Sequence, residues 1–330
     1  MENNFIAVVT GGTGFVGSHL VDLLLNKGFT VKCITRKTSN IRWLEDKPVK
    51  IYDYGLFDTE KLKNVLEGAD YIYHVAGVVK SKKPEGYFIG NVETTKNLFE
   101  VAKDAAPNLK RFVIISSQTA TGPSLDGKPV DEETTCRPIT TYGKSKLAEE
   151  NLAKEYMDKI PITICRAPAV YGERDTEILI YFNTFNKGIT TRIGFDKKNV
   201  SLIHALDLVN GIYKSSLEKK AIGETYFISS EKFYTWEEIG KVTSRVLNKN
   251  PITIKFPHFL VFTIAVFAQF FSLLSKKAAT LNIEKARDLT QKNWICDTSK
   301  AVEDFGYKQN ISLEEGIKRT CDWYKKMNWI

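Results

Sequence analysis

A tyrosine stands four residues before a lysine in the stretch "TYGKSKLAEE", residues 141–150. Residues i and i+4 of a helix share one face, so Tyr142 and Lys146 are expected to lie side by side. A free tyrosine has a pKa of about 10, and a neighbouring ammonium group stabilises its phenolate form. The pair is therefore suited to moving a proton on or off a substrate oxygen. The spacing alone is weak support, because roughly one or two such pairs arise by chance in a chain of this composition.

A glycine-rich turn near the start of the chain predicts a dinucleotide-binding site. "FIAVVTGGTGFVGSHLVDLLLNKGF" has the pattern of a buried strand, a turn and an amphipathic helix that ends at Gly28. Without a Cβ at Gly11, Gly14 and Gly17, backbone N–H groups and the helix N-terminus can approach a pyrophosphate. A plain strand-to-helix turn explains one of these glycines but not three at this spacing.

The residues after the second predicted strand, "TVKCIT", indicate which dinucleotide binds. An NAD enzyme usually has an acidic residue there, which accepts hydrogen bonds from the adenosine ribose. Here the chain reads "RKTSN". Arg36 and Lys37 can pair with the 2′-phosphate of NADP, and Ser39 can donate to it. NADP is therefore favoured; NAD is the alternative, in which both cations simply end a strand in solvent.

Strand and helix patterns alternate through the first half of the chain. The apolar runs "DYIYHVAGVV", "RFVIISSQTA" and "ITICRAPAVYG" are interleaved with the helical stretches "TTKNLFEVAKDAA" and "SKLAEENLAKEYM". This order predicts an α/β fold with a Rossmann doubly wound parallel sheet, whose ligand lies at the carboxyl ends of the strands. Lys144 and the glutamates beyond it are predicted to form a solvated helix face.

The length of 330 residues predicts two domains or one large elaborated domain. We assign residues 1–174 to a dinucleotide-binding domain, with residues 201–217 packing back onto it. Residues 175–330 are assigned to a smaller, mixed and largely helical substrate domain.

Composition narrows the class of protein. The net charge is +8, but the lysines are spread along the chain and interleaved with 39 acidic residues. This pattern favours a solvated surface over nucleic-acid binding. The excess positive charge could also favour an anionic cofactor or an anionic membrane surface. The five cysteines lack C-x-x-C spacing and are expected to be reduced structural thiols. No cluster has metal-ligand spacing. The first residues lack a signal-peptide pattern, so a cytoplasmic location is expected.

Together the motifs resemble the extended short-chain dehydrogenase/reductase family. The matching stretches are "TGGTGFVG", "HVAG" from His74, "NVETT" from Asn91, "ISSQTATG" from Ile115, "TYGKSK" from Thr141 and "CRAPAVYGERD" from Cys165. Their order and spacing are those of the family. The C-terminal "WICDTSKAVEDFGY" is similar to bacterial members related to 3β-hydroxysteroid dehydrogenases and dihydroflavonol reductases. The resemblance covers most of the chain and implies an NAD(P)-dependent oxidoreductase.

The resemblance also implies roles for particular residues. Ser117 would hold the substrate oxygen, Tyr142 would carry the proton, and Lys146 would stabilise the phenolate and bond the nicotinamide ribose. No metal is implied. The residues implied to hold the cofactor are Gly11, Thr13, Gly14, Phe15, Val16, Gly17, Arg36, Lys37, Ser39, Asp53, Leu56, Val75, Ala76, Gly77, Tyr142, Lys146 and Pro168.

The chain departs from the family pattern in two places. Members commonly have Asp-Leu after the third strand to recognise adenine, whereas this chain has Gly55 and Leu56. Either Asp53 or Asp58 takes that role, or backbone and packing alone hold the adenine. Sugar-nucleotide dehydratases of the family follow their catalytic Thr with Asp and Glu, and the Gln-Thr found here after Ser117 argues against a dehydratase.

One stretch, residues 256–275, is uncharged and contains six phenylalanines. Its continuous apolar run is shorter than the roughly 18 to 20 residues needed to span a bilayer. Three interpretations remain: a helix buried in the small domain, a lining for an apolar substrate, and a contact with a membrane or a partner chain.

Three functions from different classes follow. The leading hypothesis is NADP-dependent interconversion of a secondary alcohol and a ketone on a bulky, apolar, steroid- or flavonoid-like small molecule. The second is a sugar-nucleotide epimerase, which would hold a diphosphate with Arg174, Lys187 or Arg192. The third is a non-catalytic NADP-sensing or scaffold protein. Homodimer formation and peripheral membrane contact through residues 256–275 are the other expected interactions.

Overall fold

The computed structural model describes residues 5–272 and 281–330. The strands are β1 Ile6–Thr10, β2 Thr30–Ile34, β3 Val49–Tyr52, β4 Tyr71–His74, β5 Arg111–Ser117, β6 Ile162–Ala167, β7 Ala169–Tyr171, β8 Ile189–Ile193, β9 Asn199–His204, β10 Thr225–Phe227, β11 Phe233–Thr235, β12 Ile252–Phe256 and β13 Asn293–Trp294.

The α-helices alternate with these strands. They are α1 Phe15–Asn26, α2 Thr59–Leu66, α3 Pro84–Phe88, α4 Thr94–Ala105, α5 Gln118–Thr121, α6 Thr141–Lys154, α7 Leu179–Asn186, α8 Ala205–Leu217, α9 Trp236–Leu247, α10 His258–Ser272, α11 Ile283–Thr290, α12 Ser299–Phe305 and α13 Leu313–Lys326. A π-helical turn spans Ile89–Glu93, and a 3₁₀ turn spans Lys219–Ala221.

A seven-stranded parallel sheet in the order β10-β6-β5-β4-β1-β2-β3 forms the centre of the molecule. The predicted Rossmann architecture is therefore confirmed. Strand β1 lies between β2 and β4, and its last residue, Thr10, is in register with Ile34 and His74. Because the chain winds outward in both directions from β1, a crevice forms at the carboxyl ends of these strands. The turn that contains Gly11 begins there.

Helices cover both faces of this sheet, as its continuous apolar strands require. On one face, Leu20 and Leu24 of α1 and Leu208 and Ile212 of α8 pack with strand residues such as Val9. The opposite face is covered by α2, α4 and the end of α6. Their buried apolar residues are Leu62, Val65, Leu66, Leu98, Phe99, Ala102 and Ala153.

The domain boundaries stay a prediction, with one difference in the structure. The sequence places residues Thr225–Phe227 in the substrate domain, yet they form β10, which pairs with β6 at the edge of the central sheet. The pairing buries Tyr226 and Phe227, which are fully enclosed. Helices α7, α9 and α13 build a second core around Phe182, Ile239 and Tyr324.

Helix α10 is not buried in the small domain, so that interpretation of the phenylalanine-rich stretch was wrong. Of its side chains, Val261 and Ala265 are buried, whereas most of the phenylalanines are exposed. Residues 273–275 of the same stretch lie outside the described residues. In the part of the chain that is described, the helices are too short or too polar to cross a membrane.

The prediction of a solvated face on α6 was wrong for two of the glutamates that follow Lys144. Glu149 and Glu150 are both fully buried, because each is paired with a cation inside the protein. Glu150 accepts from Arg166 Nε at 3.1 Å and Nη2 at 2.7 Å, and from the Ser116 hydroxyl at 2.5 Å. This pair joins α6 to strands β5 and β6.

We predict that Glu150→Ala lowers the free energy of unfolding by about 3 to 5 kcal/mol, because it leaves the buried Arg166 guanidinium without its counter-charge. Denaturant unfolding monitored by circular dichroism measures this change. Glu314→Ala, which breaks the exposed pair with Arg245, is the matched control and should leave stability nearly unchanged. Equal effects of the two substitutions would contradict the structural role given to Glu150.

Candidate active site

The glycine turn after β1 has room only for backbone. Gly11 has φ +71°, and a Cβ at this position would lie 2.7 Å from the backbone nitrogen of Ala76. A Cβ on Gly17 would overlap the carbonyl oxygen of Gly11. Helix α1 begins with Gly14 as its N-cap, without a capping side chain and without an acidic residue in its first turn. Its first N–H groups are thus available to an anion, and the turn fits the pyrophosphate of a dinucleotide.

The other residues predicted at this end of the cofactor lie around the same turn. Gly14 is exposed, while Thr13, Phe15 and Val16 are partly exposed. Val75 and Ala76, which follow β4, are tied to Thr10: their N–H groups donate to its carbonyl oxygen at 3.3 Å and to its hydroxyl at 3.1 Å.

Arg36 and Lys37 follow β2 after Thr35, and both are exposed. Neither forms an ion pair with any described residue, so their charges stay available to a phosphate. The hydroxyl of Ser39 accepts from the backbone N–H of Arg36 at 3.1 Å, which shapes this turn. The arrangement places two cations and a hydroxyl at the end of the strand next to β1.

Asp53 and Asp58, the two acidic candidates for recognising the adenine, differ in whether their carboxylates already have a partner among the described residues. Asp58 accepts from the backbone N–H of Lys61 at 3.2 Å and caps α2, so this carboxylate already serves the helix. Asp53 is exposed just after β3. Leu56 is partly buried, and its carbonyl accepts from the Asn97 side chain at 3.0 Å.

Ser117, Tyr142 and Lys146 come together at the carboxyl edge of the sheet. Ser117 is the last residue of β5, and Tyr142 lies in the first turn of α6, which Thr140 caps by accepting from the Gly143 N–H at 3.1 Å. Gly143 allows α6 to approach α5 closely, since a Cβ there would overlap the carbonyl of Thr119. Pro168, predicted to contact the cofactor, follows the neighbouring strand β6.

The hydroxyl of Ser117 is oriented by Thr119. It accepts from the Thr119 N–H at 3.2 Å and from the Thr119 hydroxyl at 2.9 Å. Its own single proton therefore remains available for donation to an oxygen beside Tyr142. Thr119 stands where the dehydratases carry an acidic residue, and here it positions a neighbouring side chain.

Burial raises the pKa of the Tyr142 phenol above its ordinary value. The Lys146 charge and the Ser117 hydroxyl lower this pKa, and Glu149 raises it. The net direction is upward, whereas the sequence predicted a phenol acidified by Lys146 together with a nicotinamide charge. The difference arises mainly because burial disfavours the charged phenolate, and Glu149 adds to this effect by opposing the Lys146 charge. In the protein alone, the neutral phenol is therefore favoured, and it is a proton donor.

Lys146 is held inside the protein as an ammonium group. Burial lowers its pKa, but the charges of Glu149 and Tyr142 and the direct ion pair with Glu149 together raise the pKa above its ordinary value. Burial raises the pKa of the Glu149 carboxyl in turn, while Lys146 and the Thr95 hydroxyl lower it. The close ion pair is the arrangement that satisfies both groups away from water.

A chain of buried polar groups links this pair to the cofactor turn. His74 bonds the Thr10 hydroxyl through Nδ1 at 2.7 Å and the Thr95 hydroxyl through Nε2 at 2.8 Å. Thr95 lies 2.9 Å from Glu149. Burial and the Lys146 charge lower the pKa of His74 to about 3, so its ring is neutral. The Thr95 hydroxyl donates to Glu149, so it must accept from Nε2–H of His74. Nδ1 of the neutral ring then accepts from the Thr10 hydroxyl.

Asn91 forms a second link beneath the site. Its side chain accepts from the Val78 N–H at 2.6 Å and donates to the Val78 carbonyl at 3.2 Å and the Ser145 hydroxyl at 2.8 Å. The π-helical turn around Asn91 places this fully buried amide between the loop after β4 and helix α6. Such turns frequently occur at functional sites.

Several residues of this site were not predicted from the sequence as site residues: Thr10, His74, Asn91, Thr95 and Glu149. His74 and Asn91 open the stretches "HVAG" and "NVETT" that contributed to the resemblance, so a signal was present for them. No comparable signal distinguished Glu149 from a surface glutamate.

The family model of the NAD dependent epimerase/dehydratase family matches residues 7–229. The chain is 26% identical to the ceramide reductase of Caulobacter vibrioides over 326 residues, which cover 98% of this chain and 96% of the relative. It is 24% identical to the decarboxylating sterol-4-alpha-carboxylate 3-dehydrogenase of Dictyostelium discoideum, over 96% of this chain and 99% of the relative.

Among solved structures, the UDP-glucose 4-epimerase of Thermotoga maritima, crystallised with UDP-glucose, has the same fold. The TM-score is 0.81, with 98% of this chain and 100% of the epimerase covered at 20% sequence identity. This likeness extends the shared architecture to the C-terminal region that the family model does not reach.

We predict that Glu149→Gln shifts the alkaline limb of the pH–rate profile to lower pH. Glu149 raises the pKa values of both Tyr142 and Lys146, so removing its charge while keeping its size should lower both. Steady-state rates across a pH series measure the shift. Glu155→Gln, at an exposed position that ends the same helix, is the control. An unchanged profile in Glu149→Gln would show that the carboxylate does not influence the proton carrier.

Proposed function

Because this chain belongs to the NAD-dependent epimerase/dehydratase family, we propose that it is a reductase that converts a ketone on a bulky apolar substrate to a secondary alcohol. The observation that carries this proposal is the grouping of Ser117, Tyr142 and Lys146 at the carboxyl edge of the sheet, beside the glycine turn. Enzymes of this family act with a nicotinamide dinucleotide, and the turn at Gly11 and Gly17 fits one.

The side chains divide the work of the reduction. A bound nicotinamide dinucleotide would supply the hydride to the carbonyl carbon. The Ser117 hydroxyl donates a hydrogen bond to the carbonyl oxygen and orients it. Tyr142 gives its proton to that oxygen as the carbon–oxygen double bond becomes single, and the phenolate regains a proton from solvent. The Lys146 ammonium stabilises the phenolate while it exists.

The reductive direction is supported by the protonation of Tyr142. Because its pKa is raised, the phenol holds its proton at neutral pH until an acceptor binds. Alcohol oxidation would need the phenolate as a base. The positive nicotinamide would then have to lower the pKa of Tyr142, since burial and Glu149 both act against the charge of Lys146.

An apolar substrate is supported by two relatives whose names contain lipids, the ceramide reductase and the sterol-4-alpha-carboxylate 3-dehydrogenase. Both extend over nearly the whole of this chain. The inferred substrate class is thus a steroid- or lipid-like molecule with a secondary alcohol or ketone.

The sugar-nucleotide epimerase alternative is disfavoured by the state of its candidate cations. Arg174 is 2.7 Å from Asp22 on α1, and Arg192 is 3.3 Å from Glu237. Each arginine is therefore held by an acidic side chain; Asp22 also pairs with Lys47, and Glu237 also pairs with Lys241. A diphosphate would have to compete with these carboxylates for both arginines. Lys187 is exposed, and it would have to bind the diphosphate without them. The non-catalytic alternative does not explain a buried ion pair beside Tyr142.

We favour NADP as the dinucleotide, because the exposed Arg36 and Lys37 can pair with its 2′-phosphate. A cytoplasmic location and homodimer formation stay predictions.

The first test of the proposed chemistry is Tyr142→Phe. The substitution removes the proton carrier and keeps the ring, so we expect kcat to fall by about 10²- to 10⁴-fold while cofactor affinity stays unchanged. Lys146→Met should reduce both turnover and cofactor affinity. The matched control is Tyr87→Phe, whose ring lies 6.4 Å from that of Tyr142. Turnover by Tyr142→Phe comparable with that of the native enzyme would reject the assignment.

The second test concerns cofactor choice. A charge-assisted bond to the 2′-phosphate is worth about 1.5 to 3 kcal/mol, or roughly 10- to 150-fold in affinity. Arg36→Ala should therefore weaken NADPH binding by about tenfold or more and leave NADH binding unchanged. Fluorescence titration of both cofactors measures this, with the exposed Lys63→Ala as control. Tighter binding of NADH than of NADPH by the native chain would show that Arg36 and Lys37 are only surface charges.

A further inference from the structure

The outer side of α10 is more apolar than a solvated helix face should be. Val261 and Ala265 face inward and pack against Ala286 of α11. The exposed apolar side chains are Phe259, Ile264, Val266, Phe267, Phe270 and Phe271, and the four phenylalanines are between 59% and 72% exposed. We call these six residues the phenylalanine face. Soluble proteins rarely leave a contiguous apolar surface of this kind uncovered.

The phenylalanine face can enter an apolar environment without losing hydrogen bonds. Its residues recur at three- and four-residue intervals and so share one side of the helix. Thr263 lies among them, and its hydroxyl donates to the Phe259 carbonyl at 2.9 Å. The backbone groups within the helix are paired along its length.

The chain around α10 carries a segregated positive charge. Residues 239–283 contain no Asp or Glu, and their cations are Lys241, Arg245, Lys249, Lys255, Lys276 and Lys277. Lys241 and Arg245 pair with Glu237 and Glu314 outside the stretch, whereas Lys249 and Lys255 are exposed and form no ion pair with a described residue. A second copy of the chain would bring the same cations against each other. An anionic surface is complementary to them.

Helix α11 connects α10 to the candidate active site. The side chain of Gln269 on α10 accepts from the Ile283 N–H at the start of α11, at 3.2 Å. Glu284 accepts from the N–H of Thr141 at 3.0 Å and from its hydroxyl at 2.6 Å. Thr141 directly precedes Tyr142. The phenylalanine face and the first turn of α6 are therefore parts of one packed unit.

From these observations we infer that α10 docks the protein onto the surface of an anionic lipid bilayer, with the phenylalanine face among the acyl chains. The helix has 15 described residues, or about 22 Å at 1.5 Å per residue, which is shorter than a hydrocarbon core of about 30 Å. It therefore lies along the interface. The benefit to catalysis rests on the proposed function: an apolar substrate dissolved in the bilayer is delivered on the side of the protein that adjoins Tyr142.

Vesicle co-sedimentation of the full chain tests this inference. The native protein should sediment with vesicles of phosphatidylcholine and phosphatidylglycerol, and less with phosphatidylcholine alone. Phe267→Gln combined with Phe270→Gln should weaken binding by roughly tenfold or more. The matched control is Leu217→Gln combined with Ile222→Gln, which changes two exposed apolar residues near the amino ends of the strands and should bind like the native chain.

Charge is tested with Lys249→Gln combined with Lys255→Gln, two exposed cations. This variant should lose much of its preference for the anionic vesicles. No sedimentation of the native chain with either vesicle, or native-like binding by the phenylalanine variant, would overturn the inference. So would a native dimer that fails to bind vesicles and that the phenylalanine variant dissociates in sedimentation velocity.

Two controls distinguish effects on vesicle binding from effects on folding and on catalysis. Circular dichroism checks each variant, and Phe259→Gln repeats the test if the double variant does not fold. Tyr142→Phe should bind vesicles like the native chain, so failure of the proposed reaction and failure of docking give different results.

Discussion

A buried ammonium group, that of Lys146, is the interaction on which the candidate site depends. Moving a charge out of water costs several kcal/mol unless an opposite charge and hydrogen bonds compensate for it. Glu149 supplies the charge, and Thr95 supplies a hydrogen bond to the carboxylate. His74 and Thr10 continue the network to the glycine turn. The need to satisfy one cation thus ties helix α6, helix α4 and two strands of the sheet into a rigid unit.

The parts of the molecule that depend on local pattern could be predicted from the sequence. The glycine turn follows from three glycines between a strand and a helix, and the parallel sheet follows from the alternation of strands and helices. Burial of Glu149 and Glu150 could not be predicted, because their partners are distant along the chain. Thr95 is 54 residues from Glu149. An acidic run on an otherwise polar helix is usually solvated, and only the tertiary fold shows which cations face it.

Burial of the phenylalanine-rich helix, one of its three interpretations, was wrong for a different reason. Apolar residues on all sides of a helix normally indicate burial in a large core. The C-terminal region is small, and its core is already filled by α7, α9 and α13. Among the residues that the structure describes, α11 and neighbours such as Ile193 and Phe256 cover one side of α10. Sequence pattern indicates what a helix could bury, but the neighbours available in the fold determine what it does bury.

Residues 239–283, which contain no Asp or Glu, also affect how the protein is oriented as it diffuses toward an anionic surface. Lys249 and Lys255 lie in this stretch, exposed and without an ion pair to a described residue, so the surface that carries them is locally positive. In the field of a negatively charged surface the molecule would rotate as it diffuses, so that the basic side leads. Salt screens this steering over about 8 Å at physiological ionic strength, whereas apolar contacts persist once made. Ionic strength would therefore alter the rate of association with the anionic surface more than the residence time on it.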